Sequence, residues 1–116
     1  MLRKRHRTAA GTVASAAIFA ALGDATRLRL VTRLCAEGPL SIVALTAGAP
    51  ITRQAVTKHL RALAAAGLVR GKRRGLQRQR LWELETPRLH EARQYLDQIS
   101  QQWGEALARL KAFVEE

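Results

Sequence analysis

Arg53, Gln54 and Thr57, followed by Lys58 and Arg61, are side chains suited to reading and gripping a polyanion rather than to transforming a substrate. Arginine and glutamine have the fork geometry for bidentate hydrogen bonds to guanine and adenine edges, and a threonine methyl fits against thymine. Lysine and arginine one turn further along suit phosphate oxygens. Nothing in the chain makes a comparable case for catalysis. It has no nucleophile–base–acid set and no phosphate loop, and its carboxylate-rich stretch lies in the last 31 residues. One cysteine, Cys35, excludes an internal disulfide framework and any zinc site built on a cysteine pair.

The elements that must position these residues follow from capping and periodicity. Ser41 is suited to cap a short helix over 42–47, and Gly48-Ala49-Pro50 then breaks the chain. Thr52 caps the next helix, 53–66, which stops at Gly67 as a C′ glycine followed by apolar Leu68. Two helices joined by a glycine-containing turn of four residues have helix-turn-helix spacing. In the second of them Val56, Leu60 and Leu63 form an inward i, i+4, i+7 stripe. Arg53, Gln54, Thr57, Lys58 and Arg61 fall on the opposite face, and Thr52 sits at its leading end. The first residues of such a helix are the ones that meet base edges. The alternative is an exposed polar face that touches nothing.

Behind that helix the helical period is lost. Residues 68–74 and 77–84 read as two short strands around Gly75. The hairpin carries Arg70, Lys72, Arg73, Arg74, Arg78 and Arg80, so it reads as a basic wing. Its tip, with Arg73, Arg74 and Arg78, is suited to straddle the backbone or enter a narrow minor groove. Arg80 belongs to that set or else packs its stem along the sheet. Ahead of the helix pair, helices are expected over 12–22 and, capped by Asp24, over 25–36. In the latter Leu28, Val31, Leu34 and Cys35 follow an apolar stripe, which makes Cys35 a small core residue; the alternative is an exposed redox thiol.

The charge is localised. The 116 residues carry 20 Lys+Arg against 9 Asp+Glu, a net charge of +11. Residues 1–7 contribute +4 and residues 38–85 contribute +7, with no carboxylate between Gly38 and Trp82, while the other 61 residues sum to zero. Solvated faces usually mix signs, so a single-sign block in a foldable segment favours a phosphate-binding surface. The chain is long enough for one domain. Its composition (47% hydrophobic, 4% aromatic, with 21 Ala and 17 Leu) points to a helical core rather than a sandwich. The basic 1–7 followed by the uncharged 8–23 has the outline of a secretory leader. The run is mostly small residues, however, and Ile18, Phe19 and Leu22 fit an amphipathic first helix. The expectation is a cytoplasmic protein with no membrane segment, divided into a basic flexible arm, 1–10, and one domain, 11–116.

Thr86-Pro87 opens a last helix that can run to the end of the chain. Leu89, Ala92, Leu96, Ile99, Trp103, Ala106, Leu110 and Phe113 are spaced alternately 3 and 4 apart, an a/d seam of more than three heptads. At ~1.5 Å per residue the helix would be about 45 Å long, more than one small domain needs to cover its core. Part of the seam is expected on helices one and two. Phe19, Leu96, Ile99, Trp103, Leu107, Leu110 and Phe113 are expected at an interface with a second copy.

Two stretches resemble a known family. FAALGDATRLRL (19–30) resembles the "ALADPTRLRIL" opening of the ArsR-type winged-helix repressors, and TRQAVTKHLRALAAAGLV (52–69) is similar to that family's "SQSTVSRHLKVLREAGLV". The match covers roughly 18–84. It implies a homodimer that binds an inverted-repeat operator and represses transcription by excluding RNA polymerase. It supports Arg53, Gln54, Thr57, Lys58 and the wing arginines as DNA contacts, and aligns His59 with the family's "RHL" histidine, for packing or a phosphate contact. The family's metal sensors carry a Cys-x-Cys pair where this chain has Ser41-Ile42-Val43-Ala44-Leu45, or an Asp-x-His where it has Arg88-Leu89-His90. A soft metal needs several converging thiolates or imidazoles, so no metal and no cofactor is expected. The ending YLDQISQQWGEALARLKAFVEE (95–116) looks like the metal-free branch, which implies autoregulation or control by something other than metal.

The reading is therefore a mainly α fold: a winged helix-turn-helix, three-helix core plus β-hairpin wing, with a long C-terminal dimerisation helix. The partners expected are a near-palindromic double-stranded DNA operator and a second copy. The alternatives are a redox- or small-ligand-gated sensor of the same fold, and a non-specific basic architectural or RNA-binding protein.

Overall fold

The computed structural model describes the backbone of residues 2–73 and 79–115, and the side chains of 12–73 and 79–115. Its elements run α1 (Leu2–Leu22), α2 (Ala25–Glu37), β1 (Leu40–Ser41), α3 (Ile42–Ala47), α4 (Arg53–Ala65), β2 (Val69–Arg73), β3 (Arg80–Leu84) and α5 (Thr86–Glu115). The strands form an antiparallel sheet in the order β1-β3-β2. This is the winged helix-turn-helix expected, with the long last helix in place.

The core is one cluster. Ile18 and Ala21 of α1, Leu30, Val31 and Leu34 of α2, Leu45 of α3, and Val56, Leu60 and Leu63 of α4 meet Leu68, Val69, Trp82 and Ala92. Six of these side chains are completely buried. The three residues foreseen as the inward stripe of α4 are among them.

Asp24 caps α2 as expected, its carboxylate accepting from the Arg27 N–H at 3.0 Å. The buried face of α2 is not the expected one. Leu28 is half exposed and Cys35 is exposed, whereas Leu30 joins Val31 and Leu34 inside. Arg27 decides this. Its guanidinium donates from Nε to the Ala21 carbonyl at 2.6 Å and from Nη2 to Ala20 at 3.4 Å, closing the C-terminus of α1. With Arg27 turned toward α1, the inward stripe is 27/30/31/34. Leu28 and Cys35 then lie roughly 90–110° round the helix from its centre. Cys35 is thus not a core residue.

Three boundaries also differ from expectation. α1 begins at Leu2 rather than near residue 12. The hairpin strands are shorter than foreseen, and their connection, 74–78, falls outside the described residues. β1 has no counterpart in the sequence reading: Leu40 and Ser41 pair with Trp82 and Leu81. Two residues carry no periodicity, so this strand exists only through its partner.

Among the described residues no helix is long and apolar enough to cross a membrane.

Candidate nucleic-acid interface

α3 and α4 are fixed by local chemistry at their ends. The Ser41 hydroxyl accepts from the Ala44 N–H at 3.1 Å, and the Thr52 hydroxyl accepts from the Ala55 N–H at 3.2 Å. At the far end of α4, Gly67 takes φ +78°, which an L side chain rarely adopts. The Leu68 N–H then reaches the Leu63 carbonyl at 3.0 Å and the Gly67 N–H reaches Ala64 at 2.9 Å. This is a Schellman closure, with the fully buried Leu63 and Leu68 at its two ends.

With Val56, Leu60 and Leu63 turned inward, Arg53, Gln54, Lys58 and Arg61 are exposed on the other side. Thr52 is exposed at the cap. Thr57 is half-buried, and its hydroxyl donates to the Arg53 carbonyl at 2.9 Å. That proton is committed, which leaves the methyl and the oxygen lone pairs for any outside partner. Among the described residues no carboxylate lies within ion-pair distance of Arg53, Lys58 or Arg61.

His59 lies between α4 and α2, its Nδ1 4.0 Å from the Asp24 carboxylate. The Arg27 N–H that Asp24 caps holds that carboxyl below its ordinary value, with smaller help from the Arg27 and His59 charges.

The basic residues around this face divide into two kinds. Arg33 of α2 donates from Nη1 to the Leu45 and Ala44 carbonyls at 3.0 and 3.3 Å, and pairs with Glu37 at 2.9 Å. Arg27 does the same service for α1. These cations complement helix C-termini. Arg70, counted with the wing in the sequence, has its Nε 2.8 Å from both Glu83 and Glu85, and the Glu83 hydrogen bond raises its pKa further. By contrast Lys72 and Arg73 are exposed, with no carboxylate in ion-pair reach among the described residues. Arg74 and Arg78, expected at the wing tip, lie outside the described residues.

α5 has a packed part and a bare part. Leu89 packs on the core and Ala92 is buried, and the Tyr95 ring meets Phe19 of α1 with centroids 6.2 Å apart. Beyond it the same stripe is bare. Leu96, Ile99, Leu107 and Leu110 are about half exposed, Trp103 is 65% exposed and Phe113 77%. Six of the seven residues assigned to an interface therefore lie uncovered along one helix, whereas the seventh, Phe19, is partly buried against the chain's own core. Val114 is uncovered too.

A helix-turn-helix domain family matches residues 22–72. The chain is 38% identical over 87 residues to the HTH-type transcriptional regulator Rv2034 of Mycobacterium tuberculosis, a match covering 75% of this chain and 76% of that one. Its fold is similar to that of an ArsR-like transcriptional regulator from Rhodococcus sp. RHA1 (33% identity, TM-score 0.77, 88% of this chain and 93% of that chain). It is also similar to the homodimeric winged helix-turn-helix DNA-binding domain of Mb0332 from Mycobacterium bovis, a possible ArsR-family regulator (25% identity, TM-score 0.62, 83% and 85%).

Proposed function

This chain belongs to the ArsR-type winged helix-turn-helix transcriptional regulators, and we propose that within that family it is a homodimeric repressor of an inverted-repeat operator. DNA-binding transcriptional regulation is the common ground of the family. The observation that carries the proposal is the bare stripe of α5 from Leu96 to Phe113. A long a/d seam left in water is the mark of a missing partner helix. The same helix of a second copy fits it, because residues 86–116 carry a net charge of only −1. The homodimeric state of the Mb0332 domain supports the same choice.

In the dimer two copies of α4 would enter successive major grooves about 34 Å apart, which makes the operator a near-palindrome. Arg53, Gln54 and Thr57 read base edges from the first turns of α4, beside Thr52 at its cap. Lys58 and Arg61 hold phosphates, and Arg73, Arg74 and Arg78 extend the contact through the wing. Residues 1–10, expected as an arm but continuous with the domain through α1, add sequence-independent attraction through Arg3, Lys4, Arg5 and Arg7. Bound across a promoter, the dimer represses by excluding RNA polymerase.

The test is selection of duplexes from a random pool by the purified protein, followed by footprinting and sedimentation. The expected result is a two-fold symmetric footprint, a dimer in solution, and a preference for the selected duplex of ~10³-fold or more. Equal affinity for random duplex or for RNA would instead mark a non-specific architectural protein. A second reading, the same regulator gated by oxidation, is favoured by the exposure of Cys35. Unchanged DNA release under oxidant in Cys35→Ser would remove it.

A further inference from the structure

The two faces of the wing are electrically different. The register sets Val69 opposite Leu84, Gly71 opposite Trp82 and Arg73 opposite Arg80. Side chains alternate along a strand, so these six share one face, and the burial of Val69 and Trp82 makes it the face that enters the core. The other face holds Arg70 and Lys72, with Arg70 compensated by Glu83 and Glu85. On the core face the ribbon ends in two arginines directly across from each other. Neither has a carboxylate within ion-pair distance among the described residues. Like charges at that position oppose pairing unless an anion lies between them.

Gly71 explains how Arg80 is held. It sits inside a strand, where glycine is entropically unfavourable, and its φ is not in the left-handed region, so the backbone does not require it. What requires it is space. A Cβ at Gly71 would overlap Arg80 Cδ, and would lie 3.0 Å from Cγ and 3.2 Å from Nε. The Arg80 stem therefore runs diagonally across the bare backbone of β2, on the same face as Arg73. A glycine in a strand commonly marks such a close approach.

We propose that Arg80, laid across Gly71, forms with Arg73 a two-arginine clamp for one DNA phosphate at the outer end of the paired wing strands, with Gly71 as the positioning residue. The clamp rests on the wing being a DNA-facing element. It is distinct from the base-reading face of α4, and it is built by the last residue pair of β2 and β3 rather than by Arg74 and Arg78.

The experiment measures binding of the selected duplex and of a random-sequence duplex against salt concentration, for wild type, Arg80→Ala, Arg80→Gln, Gly71→Ala and the Gly71→Ala/Arg80→Ala double variant. Removing Arg80 should weaken both duplexes alike, by about three- to tenfold, and lower the salt slope by about one. Arg80→Gln keeps most of the stem and should give the same slope change. Gly71→Ala should weaken binding in the same way without lowering the unfolding midpoint, because the added methyl displaces only a side chain. The double variant should bind no worse than Arg80→Ala alone. The inference is overturned if the Gly71 and Arg80 losses multiply, or if Arg80→Ala keeps the wild-type slope. Arg53→Ala serves as the reference for α4: it should reduce the preference for the selected duplex. If it changes neither duplex, the reading of α4 fails while the wing result stands by itself.

Discussion

The guanidinium of Arg33 lies against Gly48: a Cβ on that glycine would sit 3.0 Å from Nη1 and 3.3 Å from Cζ. From there Nη1 reaches the last carbonyls of α3, so one arginine of α2 holds the turn between the two helices of the helix-turn-helix. Arg33→Ala should destabilise the fold by about 1 kcal/mol, below the usual range for hydrogen bonds to a charged donor because the side chain is partly solvated. Urea unfolding measures it. A loss no larger than that of an ordinary surface arginine would show that the turn holds itself.

Arg70 and Arg73 sit three residues apart in β2, on opposite faces, and should behave oppositely toward DNA. Arg70 already has two carboxylates at 2.8 Å, so Arg70→Ala should leave the salt slope of binding near wild type. Arg73→Ala should lower that slope by about one. The same titration on the two variants checks both, and equal slope changes would contradict the division of the wing into two faces.

Asp24 ties stability to acid pH. Its carboxyl is held below the ordinary value in the folded chain by the Arg27 N–H it caps. Its contribution is therefore present above the unfolded aspartate value, about 3.9, and is lost as pH falls through the lower folded value. Asp24→Asn keeps a good N-cap but cannot titrate. It should unfold near the wild-type midpoint at neutral pH and show a shallower decline below about pH 4. Matching acid limbs in the two proteins would remove Asp24 as the cause.

How much of this was legible depends on where the information lies. The ends of α3 and α4 could be read because Ser41, Thr52, Gly67 and Leu68 act on their own neighbours in the chain. β1 could not, because Leu40 and Ser41 become a strand only by meeting Trp82 and Leu81. The compensation of Arg70 was hidden for the same reason: Glu83 comes opposite it only in the folded register. The polar face of α4 was visible by elimination once Val56, Leu60 and Leu63 were placed inside. α2 offered two apolar stripes, and a tertiary contact, Arg27 on the end of α1, selected the one that leaves out Leu28 and Cys35.

That selection makes a prediction for Cys35. An exposed thiol should react with a small alkylating reagent in the native protein, and Cys35→Ser should change stability by less than about 0.5 kcal/mol. A buried cysteine would resist alkylation until unfolding, and its replacement by serine would place a hydroxyl in the core. Native-state alkylation followed by mass spectrometry, with urea unfolding of the variant, distinguishes the two.

The last prediction concerns the bare half of α5. Ile99, Trp103 and Leu107 lie in the middle of the stripe, clear of the Leu89, Ala92 and Tyr95 contacts that anchor the helix to its own domain. A charge there should therefore break association without unfolding the chain. Trp103→Glu and Leu107→Glu should sediment near the 12.8 kDa of one chain and keep the wild-type helical signal. Affinity for the selected duplex should fall by about 10²-fold or more, because two linked recognition helices gain that much over one. Affinity for random duplex, set by phosphates, should fall far less. A charged variant that still sediments as a dimer would place the interface elsewhere on the molecule. One that unfolds would show the stripe to be part of the chain's own core.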